Sequence, residues 1–431
     1  MSTFEPSNNG PSMPRPPRRA PAGSGGLRSI ALGSSLLLLA AGAASGQLFT
    51  TDHGYVTDNT GAQMTSVSPH VFKDTSGNWV MISQGPDSWG CSGVNDKIGY
   101  YTNTNANPKS GWVKQSRIGN CDGPGDYRTH GVGSVVHDGN YNAPFYLSVD
   151  HGKVTQASVN PDTEKHYVYL WESDNGRNWR NETLILDSSA LPNSTLRTSL
   201  FRISSRSYYG STMKTMKVGM FFNIGAPTRS DVSIGYGYID ITYPGPGQQS
   251  TYDVYILVED GGNGTYVKLP PDRKLTQAPK FVIEGVNPNN TSPTAPNRIQ
   301  PNHVLVTDYF PNVRGELIAT RMYPSTQALC CPGSPNISWK SEIQFFDFVA
   351  NSNGRLLTSA VPLSRDGDTV VASGFPNFCN PRSDYFGVYY PMVVPPEQWM
   401  SGPDYMFTNV DDTCDSQGWG PFKVRLLEYQ P

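Results

Sequence analysis

Residues 67–85 read V-S-P-H-V-F-K-D-T-S-G-N-W-V-M-I-S-Q-G, and residues 97–104 read K-I-G-Y-Y-T-N-T. An apolar stretch ends in Val71 and Phe72, turn chemistry follows at Asp74–Gly77, and a second stretch runs Trp79–Ser83. A longer loop leads to a third stretch at Ile98–Thr102, and Trp112 lies on an outer segment. β-Branched and aromatic runs separated by Asp/Gly turns predict an up-and-down antiparallel sheet of about four short strands, the unit of a β-propeller blade.

The same outline returns four times. A second unit runs from Arg128–Tyr141 through Phe145–Asp150 to His166–Trp179. The third uses Leu196–Ile203, Val218–Ile224 and Val232–Ile241, with Tyr252–Val258 or Lys280–Ile283 as its outer strand and Glu259–Pro279 as a loop. The fourth uses Arg298–Val306, Glu316–Met322 and Glu342–Phe348, and the fifth Val388–Val394, Asp404–Asn409 and Phe422–Tyr429. Pro or Gly interrupts nearly every window long enough for a helix. The chain is therefore expected to be all-β, with one five-bladed β-propeller domain over residues 47–431. The lead-in Gln47–Gln63 is placed to complete the last blade. Glu172–Trp179 resembles the Asp-box turn of sialidase-type propellers, matching at Asp174, Gly176 and Trp179; it marks a turn, not chemistry.

Composition agrees. Gly (43), Pro (36), Tyr (23) and Trp (8) are plentiful while charged residues make only 16 %, as expected of a turn-rich β protein. A net charge of −3 with no basic stripe argues against nucleic acid as a partner. Residues 1–46 are set aside from the fold: a Pro/Ser/Gly-rich segment with Arg15, Arg18, Arg19 and Arg28, an apolar run Ile30–Ala44, and small residues Ala44-Ser45-Gly46. This is the pattern of a secretory signal peptide, with an uncleaved type II anchor as the alternative and the only route to a membrane. The expected product is a secreted monomer. Cys91, Cys121, Cys330, Cys331, Cys379 and Cys414 suit disulfides in an oxidising compartment, with Cys91–Cys121 the favoured pair. Sequons at Asn181, Asn193, Asn263, Asn289, Asn290 and Asn336 permit a glycoprotein.

Pro69, Val71, Gly77 and Trp79 of the first hairpin, then Ile98-Gly99-Tyr100 with Thr102 and the trailing Trp112, resemble the five-bladed propellers of the arabinanase, β-xylosidase, invertase and levansucrase group. The resemblance implies a funnel at one end of the axis, built from the starts of the innermost strands. It also implies glycoside hydrolysis by paired carboxyl groups. That group places a carboxylate before the first Pro-x-Val, another near the start of blade two and a Glu at the start of blade three. Here those places hold Ser68-Pro69-His70, Thr129-His130-Gly131 and Arg197-Thr198-Ser199.

The strand starts instead carry His70, Arg128, His130, Arg197, His303, Arg382 and Asp384. Such a set suits a carbohydrate or other small polar ligand, an anionic one included. His70, His130 and His303 could together hold a single metal ion. Histidines could also serve acid/base work in a lyase or cyclase, or simply bond neighbouring backbone. Asp126 and Asp150, with His130, are the acid/base candidates, and Asp52-His53 is a further one. Trp89, Tyr127, Tyr385 and Phe386 could wall a sugar ring. A non-catalytic sugar-binding or surface-interaction propeller is the alternative to an enzyme. No phosphate loop, dinucleotide fingerprint, H-E-x-x-H or G-x-S-x-G is present in the sequence.

Overall fold

In this computed structural model of the chain, the described residues are 49–85, 89, 97–119, 127–137, 144–154, 165–191, 197–208, 210–225, 232–262, 264–285, 298–325, 338–357, 365–370, 387–394, 404–411 and 423–429. All regular structure among them is β-strand. The five repeats form five antiparallel blades.

The first blade is β2 (Val67–Lys73), β3 (Trp79–Gly85), β4 (Lys97–Asn103) and β5 (Val113–Arg117), paired in that order. The second is β6 (Tyr127–Val136), β7 (Phe145–Val154), β8 (Lys165–Ser173) and β9 (Arg180–Asp187). The third is β10 (Thr198–Ser207), β11 (Lys214–Gly225), β12 (Val232–Tyr243) and β13 (Thr251–Val258). β13 turns back into β14 (Thr265–Lys268), and β15 (Phe281–Ile283) pairs with the other end of β12. Both predicted outer strands of this blade therefore pair with β12. The predicted loop Glu259–Pro279 is not all loop, because Thr265–Lys268 gives β13 an edge partner. The fourth blade is β16 (Arg298–Asp308), β17 (Val313–Ser325), β18 (Ser338–Ala350) and β19 (Arg365–Val370), joined to blade three by one parallel bridge, Val232 to Arg298.

The fifth blade is β20 (Gly387–Val394), β21 (Asp404–Asp411) and β22 (Lys423–Tyr429), completed by β1 (Phe49–Tyr55) from the other end of the domain. Phe49 pairs Tyr429 and Tyr55 pairs Arg425. The Arg425 guanidinium grips both Asp52 carboxylate oxygens and lies 5.2 Å from the Tyr55 ring centroid. Burial raises the Asp52 carboxyl, but Arg425 and the Gly54 amide outweigh it and hold the group below its usual value.

The core lies between blades rather than in one central mass. Val80, Ile82 and Ile98 of blade one pack on Val132, Leu147 and Val149 of blade two. Phe201, Phe221 and Tyr236 of blade three meet Leu317, Phe346 and Phe348 of blade four. Trp79 and Met81 meet Met392, Phe407 and Leu426 between blades one and five. Middle strands are thus buried on both faces and read as apolar runs, as β11 does, whereas the outer β5 is almost wholly exposed.

The predicted turn at Asp74 is closed by its own side chain: Oδ1 accepts from the Ser76 and Asn78 amides at 2.8 and 2.9 Å, and Gly77 takes φ 78°. The Glu172–Trp179 turn uses Ser173 and Asn175 in that role, with Gly176 at φ 78°. Asp174 is instead ion-paired to Arg180 at 2.7 Å. Trp179 stands edge-on to Phe72 of blade one, with centroids 6.4 Å apart.

Candidate functional site

The inner strands β2, β6, β10, β16 and β20 touch one another in a closed ring around the axis. A cleft opens there, enclosing about 270 Å³, solvent included, and lined by a mix of apolar and polar residues from or beside all five inner strands. Ser68, Pro69 and His70 come from β2, Val132 and Gly133 from β6, Arg197 from the residue before β10, Pro301 and Asn302 from β16, and Met392 from β20.

Arg197 organises the cleft. Its Nη1 donates to Ser68 Oγ at 2.7 Å and to the Val132 carbonyl at 3.3 Å, and its Nη2 to Gln84 Oε1 at 3.4 Å. Its own amide donates to Asn223 Oδ1. Ser68 has φ 53°, the left-handed region, and its amide donates to Asn409 Oδ1 at 3.0 Å. Thr320 Oγ1 donates to Asn302 Oδ1 at 2.6 Å.

His70 is buried, and its Nε2 accepts from the Val135 amide at 3.0 Å, which puts its proton on Nδ1. Burial, with the neighbouring His303, holds His70 well below its usual value and hence neutral. The His70 and His303 rings stand 6.0 Å apart, and desolvation lowers His303 to about 4. His70 thereby bonds blade one to blade two, a backbone-anchoring role.

Behind the cleft sits Asp150 on β7, opposite Gly131 and 4 % exposed. Thr198 Oγ1 donates to Ser148 Oγ at 2.8 Å and lies 3.4 Å from Asp150 Oδ1. Asp150 Oδ2 has no hydrogen-bond partner among the described residues. Burial pushes the Asp150 carboxyl up to about 8, against the pull of the Arg197 charge and Thr198. At neutral pH it is a carboxylic acid, able to give a proton. Gly133 makes this arrangement possible: a Cβ there would stand 2.2 Å from Ser148 Oγ and 2.4 Å from Thr198 Oγ1. The adjacent His151 pairs through Nε2 with Glu182 at 3.3 Å, and burial, aided by the Arg197 charge, lowers His166 to about 4.

Of the residues singled out in sequence, the structure brings His70 and Arg197 to the cleft wall, His303 beside His70, and Asp150 behind Thr198. Asp52 serves the ring closure, with His53 against Tyr405 at 6.1 Å. Arg128 and His130 lie on β6, with His130 opposite His151, but their side chains fall outside the described residues. Asp126, Arg382, Asp384, Tyr385, Phe386 and all six cysteines fall outside them entirely. No three His, Cys, Asp or Glu side chains gather as metal ligands among the described residues. His70, with Nε2 engaged by backbone, could offer a metal only Nδ1. The sequence gives no sign of Gln84 and Asn223, which hold Arg197, nor of Asn302 in the cleft wall beyond its adjacency to His303.

No protein-family model matches the sequence, and no curated protein matches it. Among solved structures, the chain is similar to an endo-arabinase from Bacteroides thetaiotaomicron, at 8 % identity over 88 % of this chain and 97 % of that one, TM-score 0.42. It is similar to a GH43 endo-arabinanase from Bacillus licheniformis, at 11 % identity over 87 % and 96 %, TM-score 0.39. A third is an alpha-L-arabinanase from Penicillium chrysogenum complexed with arabinobiose, at 12 % identity over 88 % and 99 %, TM-score 0.32. At these identities and TM-scores no residue role passes to this chain.

Proposed function

We propose that the protein is a secreted, carbohydrate-directed propeller that takes a sugar in its axial cleft, in the manner of a glycoside hydrolase. The observation that carries this reading is a cleft lined from all five inner strands with Ser68, His70, Arg197 and Asn302 in its wall, backed by a buried carboxyl that keeps its proton at neutral pH. In hydrolysis Asp150 would be the general acid, protonating the leaving oxygen. Asp126 is the sequence candidate for the second carboxyl. Arg197, Ser68 and Asn302 would orient the sugar hydroxyls.

A second reading, binding without turnover, is favoured by one fact: none of the nine cleft-lining residues among those described is acidic. One experiment separates the two. Arabino-, xylo- and galacturono-oligosaccharides are titrated calorimetrically into the mature protein, and sugar release is followed in parallel. Hydrolysis lost by about a hundredfold or more in Asp150→Asn, with binding kept, supports the enzyme. Binding without release supports the binder. Binding of none of these sugars overturns the carbohydrate reading. N-terminal sequencing of protein recovered from the medium tests the leader, with Gln47 as the expected first residue.

A further inference from the structure

We propose that Asn181 carries an N-linked glycan, and that this glycan covers the open edge of blade two. The proposal rests on the secreted reading above and adds a modified residue to it.

Asn181, Glu182 and Thr183 form a sequon at the start of β9. The asparagines of the other five sequons lie outside the described residues. The strand does not run straight at this point. Thr183 pairs with Leu170 and Arg180 with Glu172, so Asn181 and Glu182 together stand opposite Trp171. Two residues against one make a β-bulge. Asn181 takes φ 58°, in the left-handed region that asparagine tolerates better than most side-chained residues. Glu182 turns toward His151, 3.3 Å from its Nε2. Thr183 Oγ1 donates to the Asn181 carbonyl at 3.0 Å and accepts from Gln249 Nε2 at 3.1 Å. These bonds fix the backbone of the sequon. The Asn181 side-chain amide is tied to no other described residue and is not buried, so its nitrogen faces water.

The position suits a bulky polar group. β9 is the outermost strand of blade two, whereas the cleft lies on the innermost strands, so a glycan here leaves the cleft open. On its outer side β9 meets the rest of the described chain through backbone only at its end, where Asp187 bridges Lys274. From Arg180 to Leu186 no described strand covers that edge. An uncovered strand edge is a template for pairing with a second chain, and bulges and cover are the devices that block it. The bulge supplies one, and a hydrated glycan attached at it supplies the other.

The test expresses the full chain in a eukaryotic host under its own leader. Peptides of the protein in the medium are mapped by mass spectrometry before and after N-glycosidase, which leaves an aspartate at each asparagine it clears. Asn181 is expected to be glycosylated in most of the secreted protein, and Thr183→Ala to abolish the modification. Should that variant not be secreted, Asn181→Gly removes the site without straining the bulge. Secreted protein with Asn181 bare overturns this proposal and leaves the secreted reading standing. Protein that never leaves the cell, its leader intact and its sequons bare, overturns both. Sedimentation velocity then compares the glycosylated protein with Asn181→Gly over a range of concentrations. The glycosylated form is expected to stay a single species, and the variant to shift to a larger one as concentration rises. A variant that stays monomeric throughout overturns the covering role of the glycan.

Discussion

Arg197 Nη1 donates to Ser68 Oγ over 2.7 Å, so the start of β10 in blade three is tied to the start of β2 in blade one. The bond joins two blades that are not sequence neighbours and crosses the wall of the cleft. Ser68 itself stands at φ 53°, a conformation that costs an L-residue about 1–2 kcal/mol.

Ser68→Ala and Ser68→Gly should therefore part company. Both lose the hydroxyl, but glycine also removes the backbone strain. Alanine is expected to lower unfolding stability by about 1–2 kcal/mol, with glycine recovering roughly half of that. Urea unfolding of the two variants beside wild type measures the difference; alanine equal to or better than glycine would contradict the strain.

Asp150 predicts an unusual pH response. Its folded value of about 8 lies above the ordinary 3.8, so the folded state binds more protons and stability falls as pH rises toward 8. His166 and His303, held near 4, and His70, also lowered, act oppositely: they add stability as pH rises up to the ordinary 6.5 and nothing beyond. Between pH 6.5 and 8 the Asp150 slope stands clear of the histidines. Melting temperatures are expected to decline across that window in wild type and to stay level in Asp150→Asn.

Gly133→Ala places a methyl 2.2 Å from Ser148 Oγ and 2.4 Å from Thr198 Oγ1, with the Ser148 carbonyl 3.0 Å away. The hydroxyls must move, and Asp150 loses its Thr198 contact. A loss of about 1–3 kcal/mol is expected, together with weaker ligand binding. Thermal unfolding and calorimetry read the two effects, and a variant as stable as wild type would mean that the strands part more easily than this packing implies.

Glu172 is fully buried between blades two and three, where its Oε1 accepts from the Ser250 amide at 3.0 Å and from the Tyr252 hydroxyl. Burial and this carboxylate push the Tyr252 phenol far above its ordinary range. Glu172→Ala strands both donors and is expected to lose about 2–4 kcal/mol, while Glu172→Gln, which keeps an acceptor, loses less than half as much. Denaturant midpoints for the pair decide whether the carboxyl acts as an acceptor or only fills space.

The fold was legible because each blade repeats a strand-period pattern and a turn signature, and because both faces of the middle strands are buried. Glu259–Pro279 reads as loop because Gly261, Gly262 and Gly264 crowd its start. The four-residue β14 that follows owes its existence to the edge of β13, a tertiary partner that no local pattern reveals. At the site, Arg197, His70 and Asp150 were visible as charged or titratable residues near strand starts and ends. Gln84, Asn223 and Asn302 were not, because neutral amides are common in β proteins and gain meaning only when the ring of blades brings them beside Arg197. The roles differed too: His70 looked like a ligand in sequence, yet its Nε2 is spent on the Val135 amide.

The pairing of Phe49 with Tyr429 has a kinetic consequence. The first strand of the domain has no partner until the last one exists, so on a ribosome β1 is the earliest element made and the latest to be satisfied. Four blades can form in order from local hairpins, but the fifth requires closing a loop that spans the whole domain, a slow search over a high contact order. Until then β1 and the open flank of β22 are exposed edges, available to any neighbouring chain in the same condition. A swapped pair would form the same Asp52–Arg425 grip, so the speed of closure within one chain, rather than the strength of the seam, governs whether a nascent chain ends as one molecule or two.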